Sequence, residues 1–145
     1  MHTLRLFREA FAERRALVPA TGFFEWQKPA DGKQPYRFQR KDLGPFAFAG
    51  IWEFARIGSE EIISAAIIVG EPNPLTAAVH DRMPVILDPK DYGRWLAPET
   101  TVDELRVLLE PFPAERMRAE AVSRLVNNVR NDSEACIKPI GEPPL

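Results

Sequence analysis

Proline sets the grain of this sequence: 14 of 145 residues, about twice the usual share of ~5%. Each proline fixes its own φ and removes a backbone donor, so short elements and fixed turns are expected rather than long helices. Thr3 is placed to cap a first helix running to about Arg14, with Leu4, Phe7 and Phe11 on one stripe. Leu17-Val18-Pro19-Ala20 ends that unit. Residues 22–27 then read as an aromatic strand, Asp31-Gly32 as a turn, and residues 36–39 as the returning arm of a hairpin. A third strand fits 46–54. After a turn at Gly58-Ser59 a fourth covers 61–69, apolar on both faces and therefore expected at the centre of a sheet.

Beyond Pro72-Asn73-Pro74 the character changes. A short helix or loop covers 75–79, residues 80–84 are irregular, and 85–87 form a short strand. Asp88-Pro89 opens a helix with Tyr92, Trp95 and Leu96 facing inward. Thr101-Val102-Asp103-Glu104 is a capping box, followed by a buried stripe of Val102, Leu105, Leu108 and Leu109. Pro111 and Pro113 stop that helix, residues 121–128 return to strand, and 141–145 are tail. The length suits one domain, 1–145, without repeats or linkers. The fold class is α+β: a mainly antiparallel sheet with peripheral helices.

Composition narrows the function classes. No apolar run approaches the ~20 residues a membrane helix needs, the longest being 65–69. Residues 1–12 carry charges throughout, unlike a secretory signal. Cys136 is the sole cysteine, so no internal disulfide forms, and the reducing cytoplasm is the natural location. A net charge of −2 argues against generic nucleic-acid binding, yet it leaves room for a local basic groove.

Three positions could carry chemistry. Glu25 sits among aromatics in Gly22-Phe23-Phe24-Glu25-Trp26. A carboxylate desolvated there gains a raised pKa and acid–base capacity; the plain alternative is a strand glutamate with its head in water. His80 lies in the irregular stretch Val79-His80-Asp81-Arg82-Met83-Pro84, suited to proton transfer or simply bonded to backbone. Arg82 could bind phosphate, or could form a surface ion pair with Asp81. The run 123–132 offers amide and guanidinium donors, and equally reads as turn-and-cap chemistry. With His2 at the terminus and Cys136 distant, a structural zinc site lacks ligands, and no metal or cofactor is expected. Cys136 reads as an inert thiol.

Taken in order, several segments form a series. They are Phe7-Arg8-Glu9-Ala10-Phe11, Leu17-Val18-Pro19-Ala20, Gly22-Phe23-Phe24-Glu25-Trp26, Lys33-Gln34-Pro35-Tyr36, Phe48-Ala49-Gly50-Ile51-Trp52-Glu53 and Pro72-Asn73. The series continues through His80-Asp81-Arg82-Met83-Pro84-Val85-Ile86-Leu87, Trp95-Leu96 and Val122-Ser123-Arg124 to Val126-Asn127-Asn128-Val129-Arg130-Asn131-Asp132. In order and spacing it resembles the SRAP family (SOS response-associated peptidase) over nearly the whole chain. The resemblance implies a barrel-like α+β fold and binding to abasic sites in single-stranded DNA. It also implies covalent attachment through an N-terminal cysteine, whose amine forms a Schiff base with the sugar aldehyde and whose thiol closes a thiazolidine. The family's catalytic glutamate falls on Glu25, its histidine on His80 and its DNA-contacting arginine on Arg82.

The chain departs from the family at three places. Position 2 is His2, the family's Asn-Ala-Arg-x-Glu-Thr segment is absent, and Val69-Gly70 stands where many members have threonines. The resemblance therefore implies a domain lacking its N-terminal segment, with an exposed sheet prone to self-association. Two other readings stay open: a peptidase or other hydrolase using Glu25 and His80, and a non-catalytic protein-interaction domain.

Overall fold

A computed structural model describes residues 5–27 and 32–141; of residues 5 and 6 it describes the backbone only. The expected cap at Thr3, the side chain of Leu4, His2, Asp31 and the tail beyond Gly141 lie outside the described residues. In chain order the elements are α1 (Arg5–Glu13), β1 (Arg15–Ala20), β2 (Phe23–Gln27), β3 (Gln34–Arg40), β4 (Phe46–Ile57), β5 (Glu60–Ile67) and β6 (Val69–Gly70). Then follow α2 (Pro74–Ala77), β7 (Met83–Pro84), β8 (Ile86–Leu87), α3 (Tyr92–Leu96), α4 (Val102–Val107) and β9 (Met117–Ala121). The described strand pairs β2–β3, β3–β9, β4–β5 and β4–β8 are antiparallel, and the fold is α+β as expected. No sheet of the described residues closes into a barrel. The residues fall into two compact units that interleave along the sequence.

The first unit combines Met1–Pro19, Phe46–Gly70 and Pro84–Phe112. Its sheet runs β1-β4-β5, with β8 also on β4. Residues 17–20 belong to a strand, and Pro19 is tolerated there because β1 is the edge of its sheet among the described residues. The β4–β5 hairpin pairs Ile57 with Glu60 across the two-residue turn Gly58-Ser59, where Gly58 takes a φ of 64°. The core gathers Ala49, Val85, Leu87, Trp95 and Leu105, flanked by Phe11, Leu17, Tyr92 and Leu108. Trp95 is fully buried and donates its indole N–H to the Ala16 carbonyl at 2.9 Å. Arg15, also buried, places its guanidinium on the carbonyls of Phe11, Ala12, Trp95 and Ala97, closing the C-terminal ends of α1 and α3.

Several inward assignments do not hold in this unit. Phe7 is 45% exposed and lines a cavity of about 300 Å³ with Ile51, Trp52, Ala55, Ala65 and Ala66. Leu96 and Val102 are exposed, because the short helices α3 and α4 turn only one side chain each, Trp95 and Leu105, fully into the core. The largest correction concerns β5. Among the described residues it is the outer strand, not a central one, and all eight of its residues are exposed, Ile63 by 71%. Apolarity on both faces records what the side chains are, not what covers them.

The second unit combines Ala20–Pro45, Glu71–Met83 and Pro113–Leu145. Its sheet runs β2-β3-β9. The β2–β3 hairpin pairs Phe23 with Phe38 and Gln27 with Gln34, and Gly32 takes a φ of 120° in the connection. β9 pairs Ala119 with Phe38 and Ala121 with Tyr36, giving a buried face of Tyr36, Phe38, Met117, Ala119 and Ala121. The last strand thus precedes the expected 121–128. Met117–Ala121 alternates buried and half-buried residues, whereas Arg124–Asn127 is a 3-10 turn whose Ser123 hydroxyl accepts from the Leu125 N–H.

Candidate functional site

Glu25 is the middle residue of β2 and lies opposite Tyr36. Alternation along the strand puts Phe23, Glu25 and Gln27 on the sheet face that carries Tyr36 and Phe38. The carboxylate therefore leaves the backbone on a face that is largely buried, and its side chain is 19% exposed. Burial raises its pKa above the ordinary carboxyl range; the nearby charges of His80 and Arg82 oppose that rise, and Asp81 adds to it.

His80 is delivered by a braced turn. The buried Asn73 side chain caps α2, accepting from the Thr76 N–H at 2.9 Å and from the Thr76 hydroxyl at 3.1 Å. Pro74 at the helix start needs no donor partner. The Thr76 carbonyl then accepts from the N–H groups of both Val79 and His80, each at 2.9 Å. The Thr76 hydroxyl also lies 3.4 Å from the Met83 sulfur, and Asn73 Nδ2 lies 3.3 Å from the Met117 sulfur of β9. This buried polar knot seats the segment against the sheet.

The imidazole Nδ1 stands 3.9 Å from Glu25 Oε2, 3.3 Å from Asp81 Oδ1, and 3.2 Å from both the N–H and the carbonyl of Arg82. Two protonation states are served by one pose. Neutral, Nδ1 accepts from the Arg82 N–H and the proton sits on Nε2; protonated, Nδ1–H donates to a carbonyl or carboxylate. The backbone-bonded reading of His80 is seen in its contacts with Arg82. The Glu25–His80 gap exceeds a direct hydrogen bond and suits one bridging water or a small ring rotation.

Arg82 is exposed and makes no ion pair among the described residues. The expected partner Asp81 leans on His80 instead. Among the described residues no group of three or more His, Cys, Asp or Glu could hold a metal ion. Cys136 is buried with its Sγ 3.7 Å from the Asn131 carbonyl. The 123–132 run mostly serves turns: Asn128 Oδ1 accepts from the Arg130 N–H, and Asn131 Nδ2 donates to the Leu125 carbonyl. Asn127 reaches further, accepting from the Trp26 indole N–H at 2.6 Å and donating to the Lys33 carbonyl at 3.1 Å. Two contributors carry little sequence signal. Asn73 stands out in the sequence only within the Pro72-Asn73 segment, and Gln27 only as a strand neighbour of Glu25.

Residues 1–129 match the family model described as SOS response associated peptidase (SRAP). The abasic site processing protein YoqW of Bacillus subtilis is 38% identical over 135 residues, covering 91% of this chain and 60% of YoqW. The abasic site processing protein YedK of Escherichia coli is 30% identical over 140 residues, covering 95% of this chain and 63% of YedK. An X-ray structure of a Bacteroides thetaiotaomicron protein superposes with a TM-score of 0.85 at 32% identity, covering 94% of this chain and 61% of that one. The chain thus spans about three-fifths of the length of these relatives.

Proposed function

The chain belongs to the SRAP family, and from that premise we propose that it binds abasic sites in single-stranded DNA through the surface around Glu25, His80 and Arg82. The observation that carries this reading is the approach of His80 Nδ1 to within 3.9 Å of the partly buried Glu25 carboxylate. An abasic sugar is a cyclic hemiacetal. Opening it breaks the bond from C1′ to the ring oxygen, takes a proton from the anomeric hydroxyl, gives one to the ring oxygen and forms the aldehyde. A protonated carboxyl group with a raised pKa can give its proton to the ring oxygen while the neutral imidazole beside it takes the proton of the anomeric hydroxyl. Arg82, exposed beside the pair, supplies a cation for a backbone phosphate. The names of YoqW and YedK as abasic site processing proteins support the same substrate.

The family's covalent step needs an amine and a thiol on adjacent carbons. Cys136 offers a buried thiol whose own nitrogen is in a peptide bond, so it cannot close that ring. Self-association belongs to the same reading. Among the described residues β5 is the outer strand of its sheet, with Ile62, Ile63 and Ile67 exposed, and a second copy of the chain could add to that edge. A cytoplasmic location is in keeping with the single cysteine, and no helix of the described residues is long and apolar enough to cross a membrane.

Fluorescence anisotropy tests the substrate. One oligonucleotide is used single-stranded with an abasic site, single-stranded and intact, and as a duplex. The abasic single strand should bind tightest and the duplex weakest; equal affinity for all three would remove the proposal.

A further inference from the structure

Glu25 and His80 reach each other from two different elements, and one side chain joins those elements. Gln27 leaves β2 on the same face as Glu25, two residues on. Its Nε2 donates to the Ala78 carbonyl at 3.1 Å, two residues before His80 in the chain. The turn that receives this bond is fixed from its other end by the Asn73–Thr76 knot, so a force applied at Ala78 moves a stiff piece rather than a loose loop. We propose that Gln27 is a positioning residue, its amide holding the His80 turn against β2 and so setting the separation of His80 from Glu25. The proposal rests on the reading of Glu25 and His80 as the working pair, and names the part that keeps them in register.

The physical case is one of distance. At 3.9 Å a protonated imidazole attracts the carboxylate, and that attraction falls as the gap opens and water enters it. Displacements of ~1 Å in a catalytic arrangement can cost about 100-fold in rate. Gln27 touches neither reacting group, so its effect should be visible as lost coupling between them rather than as a lost proton donor.

The test is a carbon-detected NMR titration of the Glu25 carboxyl, with and without the His80→Gln change, in four backgrounds. The groups facing that carboxyl are His80, Asp81 and Arg82; only the first is altered, and the charge that Gln27→Lys adds cancels because each background is compared with and without His80. In the parent chain, His80→Gln should move the Glu25 midpoint upward, because a cationic neighbour is removed. With Gln27→Met, which keeps the bulk but has no donor, that upward movement should shrink to less than half. Gln27→Asn, too short to span the gap, should behave like Gln27→Met and stands in for it should that variant fold poorly. Gln27→Lys, which retains a donor, should restore more than half of the movement. A full movement in Gln27→Met and Gln27→Asn overturns the proposal, as does a Gln27→Lys chain that behaves like Gln27→Met. No DNA is present, so a failure of abasic binding and a failure of the positioning role are read in separate experiments.

Discussion

Glu25 is held on a strand face that also carries the buried Tyr36 and Phe38, a costly place for a carboxylate. Its raised pKa has a consequence for stability. A carboxyl whose folded pKa lies above its unfolded value binds its proton more tightly when folded. Its stabilising contribution is complete below the ordinary value near 4.5 and is lost as pH rises through the folded pKa. Glu25→Gln should therefore make the protein more stable at neutral pH and flatten its stability above about pH 4.5. Urea unfolding across that range checks the sign; a variant less stable at pH 7 contradicts it. Arg82→Ala should weaken single-strand binding and lower the slope of log affinity against log salt by about one ion. An unchanged slope would make Arg82 an ordinary surface cation. At this scale the sequence singled out a carboxylate among aromatics and a histidine in an irregular stretch, and the structure brings these two side chains to 3.9 Å. It was silent on Gln27, whose importance lies in a carbonyl fifty-one positions away.

Among the elements, legibility followed how local the signal was. The capping box at Thr101 and the turn at Gly58-Ser59 formed where the residues placed them, and the helix or loop expected over 75–79 is a short helix, Pro74–Ala77, because each is decided within a few positions. β1 escaped notice since Pro19 argues against a strand until its edge position is known. β5 was misplaced because an apolar run reads alike at the centre and at the margin. The alternation of Met117–Ala121 was legible but short, and its alanines signal burial weakly. Asn73→Ala should cost about 1–2 kcal/mol, leaving the buried Thr76 N–H without its cap, and urea denaturation measures it. The exposed β5 edge predicts association that depends on concentration, and Ile63→Lys should abolish it. Sedimentation that finds the parent chain monomeric at every concentration would leave β5 as a tolerated bare edge.

For the whole molecule, family membership followed from a series of segments none of which is diagnostic alone, and the antiparallel α+β class from the order of the elements. What the sequence could not supply was the exposure of each face, which depends on what else is present to cover it. The 145-residue chain should leave no heat-stable adduct with an abasic single strand on a denaturing gel without borohydride, and Cys136→Ser should change nothing, since that thiol has no free amine beside it. A stable band that survives Cys136→Ser would reveal another nucleophile. The central claim is that abasic DNA is received at the Glu25–His80 surface. It is tested most directly by amide and side-chain NMR shifts during titration with an abasic single-stranded oligonucleotide. Shifts concentrated at Glu25, His80 and Arg82, and absent from β5, are the predicted result. Shifts confined to β5 or to the cavity beside Phe7 would contradict it.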